Sequence, residues 1–186
     1  MEQSLVLTRA RVSLRAVAVV LGVALVTLAA QVSVPLPGTP VPMTLQPLAV
    51  LLVGGLLGPR LGALSMISYL ALGAMGLPVF TPTVPLVGVA RLMGPTGGYL
   101  LAYPIAAFAV GALVGDGTRT GRIALAVLTG LVLIHLGGLA QLWILTGDAP
   151  LAARFATVPF LVGDLLKLGI AVLVLRQTIA PLRARL

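Results

Sequence analysis

The stretch VPFLVGDLLKLGIAVLVLRQT, residues 158–178, decides the fold. Between Arg154 and Arg176 it carries two charges, Asp164 and Lys167, in an otherwise uncharged run. That run is long enough to cross a hydrocarbon core about 30 Å thick, which takes roughly 20 helical residues. The same pattern recurs outward along the chain. No charge lies between Arg15 and Arg60, Arg60 and Arg91, Arg91 and Asp116, or Arg122 and Asp148, and each interval holds at least one span.

Over 186 residues the chain is 59% hydrophobic and 9% charged, with a mean hydropathy of +1.15. A soluble domain carries about 25% charged residues, so a water-soluble fold is excluded, and spans with short loops leave no room for a separate soluble domain. The net charge of +8 does not point to nucleic acid, because the arginines cluster beside apolar segments without interleaved aromatics. Without cysteine, disulfides, thiolate metal sites and cysteine catalysis are ruled out. Arg9, Arg11 and Arg15 before the apolar run 16–30 imitate a secretory signal. Leu28, Ala29 and Ala30 lack the small-x-small cleavage pattern and apolar segments follow at once, so the run reads as a first span.

Hydropathy with Pro and Gly punctuation predicts an all-α integral membrane bundle of six transmembrane helices near 12–34, 45–58, 60–76, 97–115, 122–146 and 158–178, as one substrate-binding domain over residues 1–186. The second and third helices are joined by a tight turn at Gly58 and Pro59. Two Pro-rich loops, Val34 to Pro47 and Gly76 to Gly98, cannot be continuous helix. With both termini cytoplasmic, the inner flanks hold Arg9, Arg11, Arg15, Arg60, Arg119, Arg122, Arg176, Arg183 and Arg185, while the outer loops hold Arg91 and Arg154. Cytoplasmic flanks are enriched in Lys and Arg, so this asymmetry sets the orientation and places both Pro-rich loops outside, with the loop around Asp148. Apolar loops of that length are tolerated at membrane depth where they are buried in protein or line a cavity, so they are expected to cap a pocket rather than merely join helices.

Asp164 and Lys167 are the sharpest chemical signal. A charge at mid-membrane costs about 2.5–3.5 kcal/mol on insertion scales, so the pair needs a partner or a purpose. At i and i+3 the two project from one helical face and either pair or grip one ligand together: the carboxylate accepts N–H groups and the ammonium donates to a carbonyl or carboxylate. In the stretch 94–99, GPTGGY, Pro95 and the glycines bend the chain, Thr96 is expected to cap the next helix, and Gly97 and Gly98 permit close backbone approach. It is not a nucleotide loop, since the one lysine, Lys167, is followed by Leu168. Residues 40–46, PVPMTLQ, form a stiff segment that ends in polar side chains, with Gln46 placed to close over a solute, although prolines before a helix are ordinary punctuation. Ala18 and Gly22 form a small-xxx-small pair fit for internal packing or for an intersubunit contact. His135, without a second ligand at metal spacing, reads as a packed or polar-bonded histidine, and no metal or cofactor is expected. Trp143 reads as an interfacial anchor, and Asp116 and Asp148 as solvated loop carboxylates.

Taken in order, PVPMTLQ (40–46), GAMGLPVF (73–80), GPTGGYL (94–100) and GDLLK (163–167) resemble the BioY family, the biotin-specific S components of energy-coupling-factor transporters. The resemblance implies a six-helix fold in a bacterial cytoplasmic membrane that binds biotin from outside, beneath a lid containing Pro40, Pro42, Met43 and Thr44. It implies that Asp164 and Lys167 hold polar groups of biotin, with Thr96 and Tyr99 lining the pocket and Gln46 near its lid. It also implies partners that supply the energy, a transmembrane T component and two ATPase subunits, with Ala18 and Gly22 facing the former. Arg91 departs from the pattern, in which an uncharged residue is common, and either attracts the biotin carboxylate at the entrance or stays in water. An S component for another vitamin and a structural membrane protein without a solute are the alternatives. Catalysis is disfavoured, because one histidine and four carboxylates lie scattered over separate segments.

Overall fold

The computed structural model describes residues 2–183, and the side chains of residues 13–179. The side chains of Arg9, Arg11 and Arg183, and all of Arg185, lie outside the described residues. In chain order the elements are α1 (Glu2–Gln31), β1 (Ser33–Val34), β2 (Met43–Thr44), α2 (Gln46–Ala74), α3 (Val89–Met93), α4 (Gly97–Leu113), α5 (Thr120–Thr146), α6 (Ala149–Ala156), a 3-10 turn (Val158–Phe160) and α7 (Leu161–Arg183). The runs Ser13–Gln31, Gln46–Ala74, Thr120–Thr146 and Ala149–Ile179 are long and apolar enough to cross a membrane, and Gly97–Leu113 is a shorter apolar helix.

The turn expected at Gly58 reverses the chain within α2. Gly58 stands at φ 81°, ψ 177°, a backbone that glycine adopts without steric cost, and Pro59 follows it. The two halves run back against each other: a Cβ on Gly62 would stand 2.9 Å from the Gly54 Cα, and farther out the Gln46 amide donates to the Tyr69 hydroxyl at 2.7 Å. With α2 crossing twice, α1, both halves of α2, α4, α5 and α7 make six crossing segments. The first half, 46–57, is about 18 Å long at roughly 1.5 Å per residue, short of a core about 30 Å thick. The irregular chain leading into it therefore lies at membrane depth, packed on protein.

Other boundaries differ from expectation for local reasons. Helix α4 stops at Leu113 because Gly115 and Gly117, at φ 71° and 83°, turn the chain. The last span begins at Leu161 and is preceded by a separate short helix, α6, which Asp148 caps through its carboxylate on the Leu151 N–H, so Asp148 is a cap and not a free loop carboxylate. The second Pro-rich loop contains α3, and the first pairs β1 with β2, Ser33 opposite Thr44.

Both Pro-rich loops and α6 meet at one end, where the Thr39 hydroxyl donates to the Phe155 carbonyl at 3.0 Å. Gly58 packs beside Gly111, and Gly117 beside Ile179, at the opposite end, with Arg60, Arg119, Arg122 and Arg176 nearby in sequence. The buried core runs between these ends through Val26, Val50, Met66, Tyr69 and Tyr103, then Leu51, Val110, Ile123 and Leu175.

The small pair of α1 faces inward. A Cβ on Gly22 would meet the Ser65 Oγ at 2.8 Å and the Val53 Cγ1 at 3.2 Å, and Ala18 is buried, whereas Val17 and Leu21 are exposed. Replacing Gly22 by Leu is expected to pry α1 from α2 and cost about 1–3 kcal/mol, the usual range for overpacking. Thermal unfolding in detergent checks this, and an unchanged midpoint would remove Gly22 from the packing.

Candidate functional site

Beneath the outer loops lies a cavity of about 50 Å³, walled by Pro42 and Thr44 of the first loop, Gln46, Arg91, Thr96, Tyr99 and Phe160. Each element delivers its residue for a local reason. Pro47 at the first turn of α2 fixes the helix start so that Gln46 points inward, where it is buried. Thr44 accepts from the Gln46 N–H and donates to Gln46 Oε1, both at 3.2 Å, and the Tyr69 hydroxyl passes the chain on to the Val79 carbonyl at 3.0 Å. Gln46 thereby ties the first loop to the second from below instead of closing over the top.

Arg91 does not stay in water. It is 1% exposed, with Nη1 donating to the Val84 carbonyl at 2.5 Å and Nη2 to the Thr81 carbonyl at 3.0 Å, while Nε has no partner. Among the described residues both ion pairs belong to Asp164, so no carboxylate pairs with this guanidinium. A buried cation without an anion is expensive, and five fixed donors make a fork suited to a carboxylate. Thr96 also departs from expectation. Its backbone, at φ −96° and ψ −5°, is already helical, whereas a capping side chain needs an extended one, and its hydroxyl makes no cap bond. The buried Thr96 Oγ1 has no partner and sits in the cavity wall.

Asp164 and Lys167 come together as the spacing suggested, with Lys167 Nζ donating to Asp164 Oδ1 at 3.0 Å. A third member joins them: His135 Nε2 of α5 contacts Asp164 Oδ2 at 2.5 Å. The cluster stands behind the cavity wall and not on it, for the rings of Tyr99 and Phe160 lie between, with centroids 6.1 Å and 6.0 Å from the His135 ring. Lys167 reaches toward the lid: its Nζ and the Met43 sulfur stand 4.0 Å and 2.8 Å from where a Cβ on Gly163 would be. On the far side, His135 and Asp164 form the polar floor of an apolar groove of about 480 Å³ between α5 and α7. The part of His135 in the cluster was invisible to spacing, since its partner lies 29 residues away on another helix. Its position in a span free of charge was the available signal, because a polar side chain at that depth requires a partner.

The cavity wall and the cluster behind it thus combine a forked cation, a carboxylate, an ammonium, an amide and an unpartnered hydroxyl with aromatic surface. Such a set can bind a small, partly apolar solute that has an anionic group and N–H or carbonyl groups.

The chain is similar to known proteins along most of its length. The sequence profile of the BioY family matches residues 2–184. "Probable biotin transporter BioY" of Pyrococcus horikoshii is 42% identical over 156 residues, 84% of this chain and 90% of that protein. "Biotin transporter BioY" of Thermotoga maritima is 38% identical over 151 residues, 81% of this chain and 87% of that one. Among solved structures, the S-component for biotin from an ECF-type ABC transporter superposes with a TM-score of 0.81 at 26% identity, covering 90% of this chain and 92% of its own.

Proposed function

Since this chain belongs to the BioY family, we propose that it captures biotin at the outer face of the membrane, as the substrate-binding S component of an energy-coupling-factor transporter. It is a multi-pass membrane protein and a transport subunit, not an enzyme. The observation that carries the site is the buried Arg91 guanidinium on the cavity, lacking an acidic partner among the described residues. Biotin ends in a carboxylate that fits this fork. Its ureido ring offers two N–H donors and a carbonyl, which match the Asp164 carboxylate and the Lys167 ammonium, with Thr96 and Tyr99 on the wall between.

A site for a molecule of that size encloses about 300 Å³ or more, against the 50 Å³ present. Binding therefore moves the lid residues Pro40, Pro42, Met43 and Thr44 and swings Phe160 aside. Once Met43 and Phe160 are displaced, the cavity reaches Lys167 and Asp164. Gln46, held by Tyr69, stays as the hinge of the lid. Energy comes from partners, a transmembrane T component and two ATPase subunits that hydrolyse ATP. The T component meets the α1 face on which Val17 and Leu21 are exposed beside Ala18 and Gly22.

Labelled biotin is expected to bind the purified chain and to be displaced by unlabelled biotin but by no other vitamin. Displacement by a different vitamin with equal potency would transfer the site to that solute, and absence of biotin binding would end the proposal.

A further inference from the structure

Both ring nitrogens of His135 face groups that only accept. Nδ1 lies 3.0 Å from the Ala156 carbonyl, so it carries a hydrogen. In a neutral imidazole Nε2 would then present a lone pair to the Asp164 carboxylate oxygen 2.5 Å away, and two acceptors repel at that distance. A second hydrogen must lie in that contact. Lys167 donates to the other Asp164 oxygen, which keeps the carboxylate ionised and leaves the hydrogen on the ring.

We propose that His135 is a positioning residue of the biotin site, held as an imidazolium that fixes the Asp164 carboxylate in the orientation needed to accept a ureido N–H. The assignment rests on the reading of Asp164 given above. With Lys167 on one oxygen and His135 on the other, the carboxylate cannot rotate, yet it keeps lone pairs for a ligand, since it has about four acceptor sites. The same ring connects to the cavity wall, because the Ala156 carbonyl also accepts from the Tyr99 hydroxyl at 2.7 Å. The groups facing His135 are Tyr99 from α4, Asp164 and Lys167 from α7, and the uncharged Phe160 from the 3-10 turn, whereas Arg154 of α6 is exposed. Loss of the Nε2 proton replaces an attraction by a repulsion and frees Asp164 to turn away.

His135 is the one histidine of the chain, so a sample labelled with [15N]histidine reports on this ring alone. The purified full-length protein is expected to show two protonated ring nitrogens, one for each of the acceptors they face. One protonated and one bare nitrogen would overturn the proposal, and this spectrum needs no biotin. In His135→Gln, biotin affinity is expected to be about tenfold weaker, the loss of one charge-assisted hydrogen bond. Unchanged affinity in the variant overturns the positioning role. Failure of the wild-type chain to bind biotin overturns the reading of function, and the positioning role with it, while the spectrum still decides the protonation.

Discussion

Replacing Arg91 by Met is expected to weaken biotin binding about a hundredfold, because removing one partner of a buried, hydrogen-bonded charge pair costs roughly 2–5 kcal/mol. Arg91 also holds the second outer loop through the Thr81 and Val84 carbonyls, so a loss of affinity alone would not separate ligand contact from loop packing. An analogue of biotin whose carboxylate is converted to an amide makes the distinction. The wild-type chain is expected to bind the amide weakly, and Arg91→Met to bind it no worse. Arg91→Lys keeps the charge but loses the planar fork, and is expected to fall between. If Arg91→Met weakens acid and amide equally, the guanidinium serves the loop and not the carboxylate.

The second large effect concerns the ion cluster. Asp164→Ala leaves the imidazolium of His135 and the ammonium of Lys167 buried without their shared anion. Breaking a buried pair from one side typically costs about 3–5 kcal/mol, so this variant is expected to unfold at markedly lower temperature and to bind no biotin. Removing the whole cluster is a different experiment. In a triple variant, Asp164→Leu with Lys167→Leu and His135→Leu, the fold is expected to be nearly as stable as wild type, because wholesale replacement of a buried ionic cluster by apolar residues is often neutral. Cells relying on that triple variant are nevertheless expected to take up no biotin. Normal uptake with a normal melting temperature would make the cluster a structural brace and nothing more.

The fold was legible because lipid permits so few solutions. Charge-free intervals locate the spans, and the Gly58-Pro59 pair marks a reversal that no helix could run through. Helices α3 and α6 were not legible, since Val89–Met93 is five residues and Ala149–Ala156 eight, too short for a span signal and flanked by proline-rich or polar chain. At the site, the pairing of Asp164 with Lys167 follows from helical spacing alone. The burial of Arg91 does not, because a charge in a Pro-rich loop reads as aqueous until the tertiary fold covers it. The free hydroxyl of Thr96 depends on a backbone angle that composition does not encode, and the contact of His135 with Asp164 depends on how α5 meets α7.

The shortness of α4 also bears on the surrounding lipid. Its 17 residues, with Leu101, Ile105 and Phe108 exposed, reach about 26 Å, whereas the 27 residues of α5 extend about 40 Å, so the hydrophobic height of the subunit varies around its perimeter. Acyl chains along the short flank must shorten to match it while those along α5 stretch, at a fraction of a kcal/mol for each ångström of mismatch. A body bounded so unevenly lowers that cost by leaning toward its short side, and membrane thickness becomes a variable that sets its tilt.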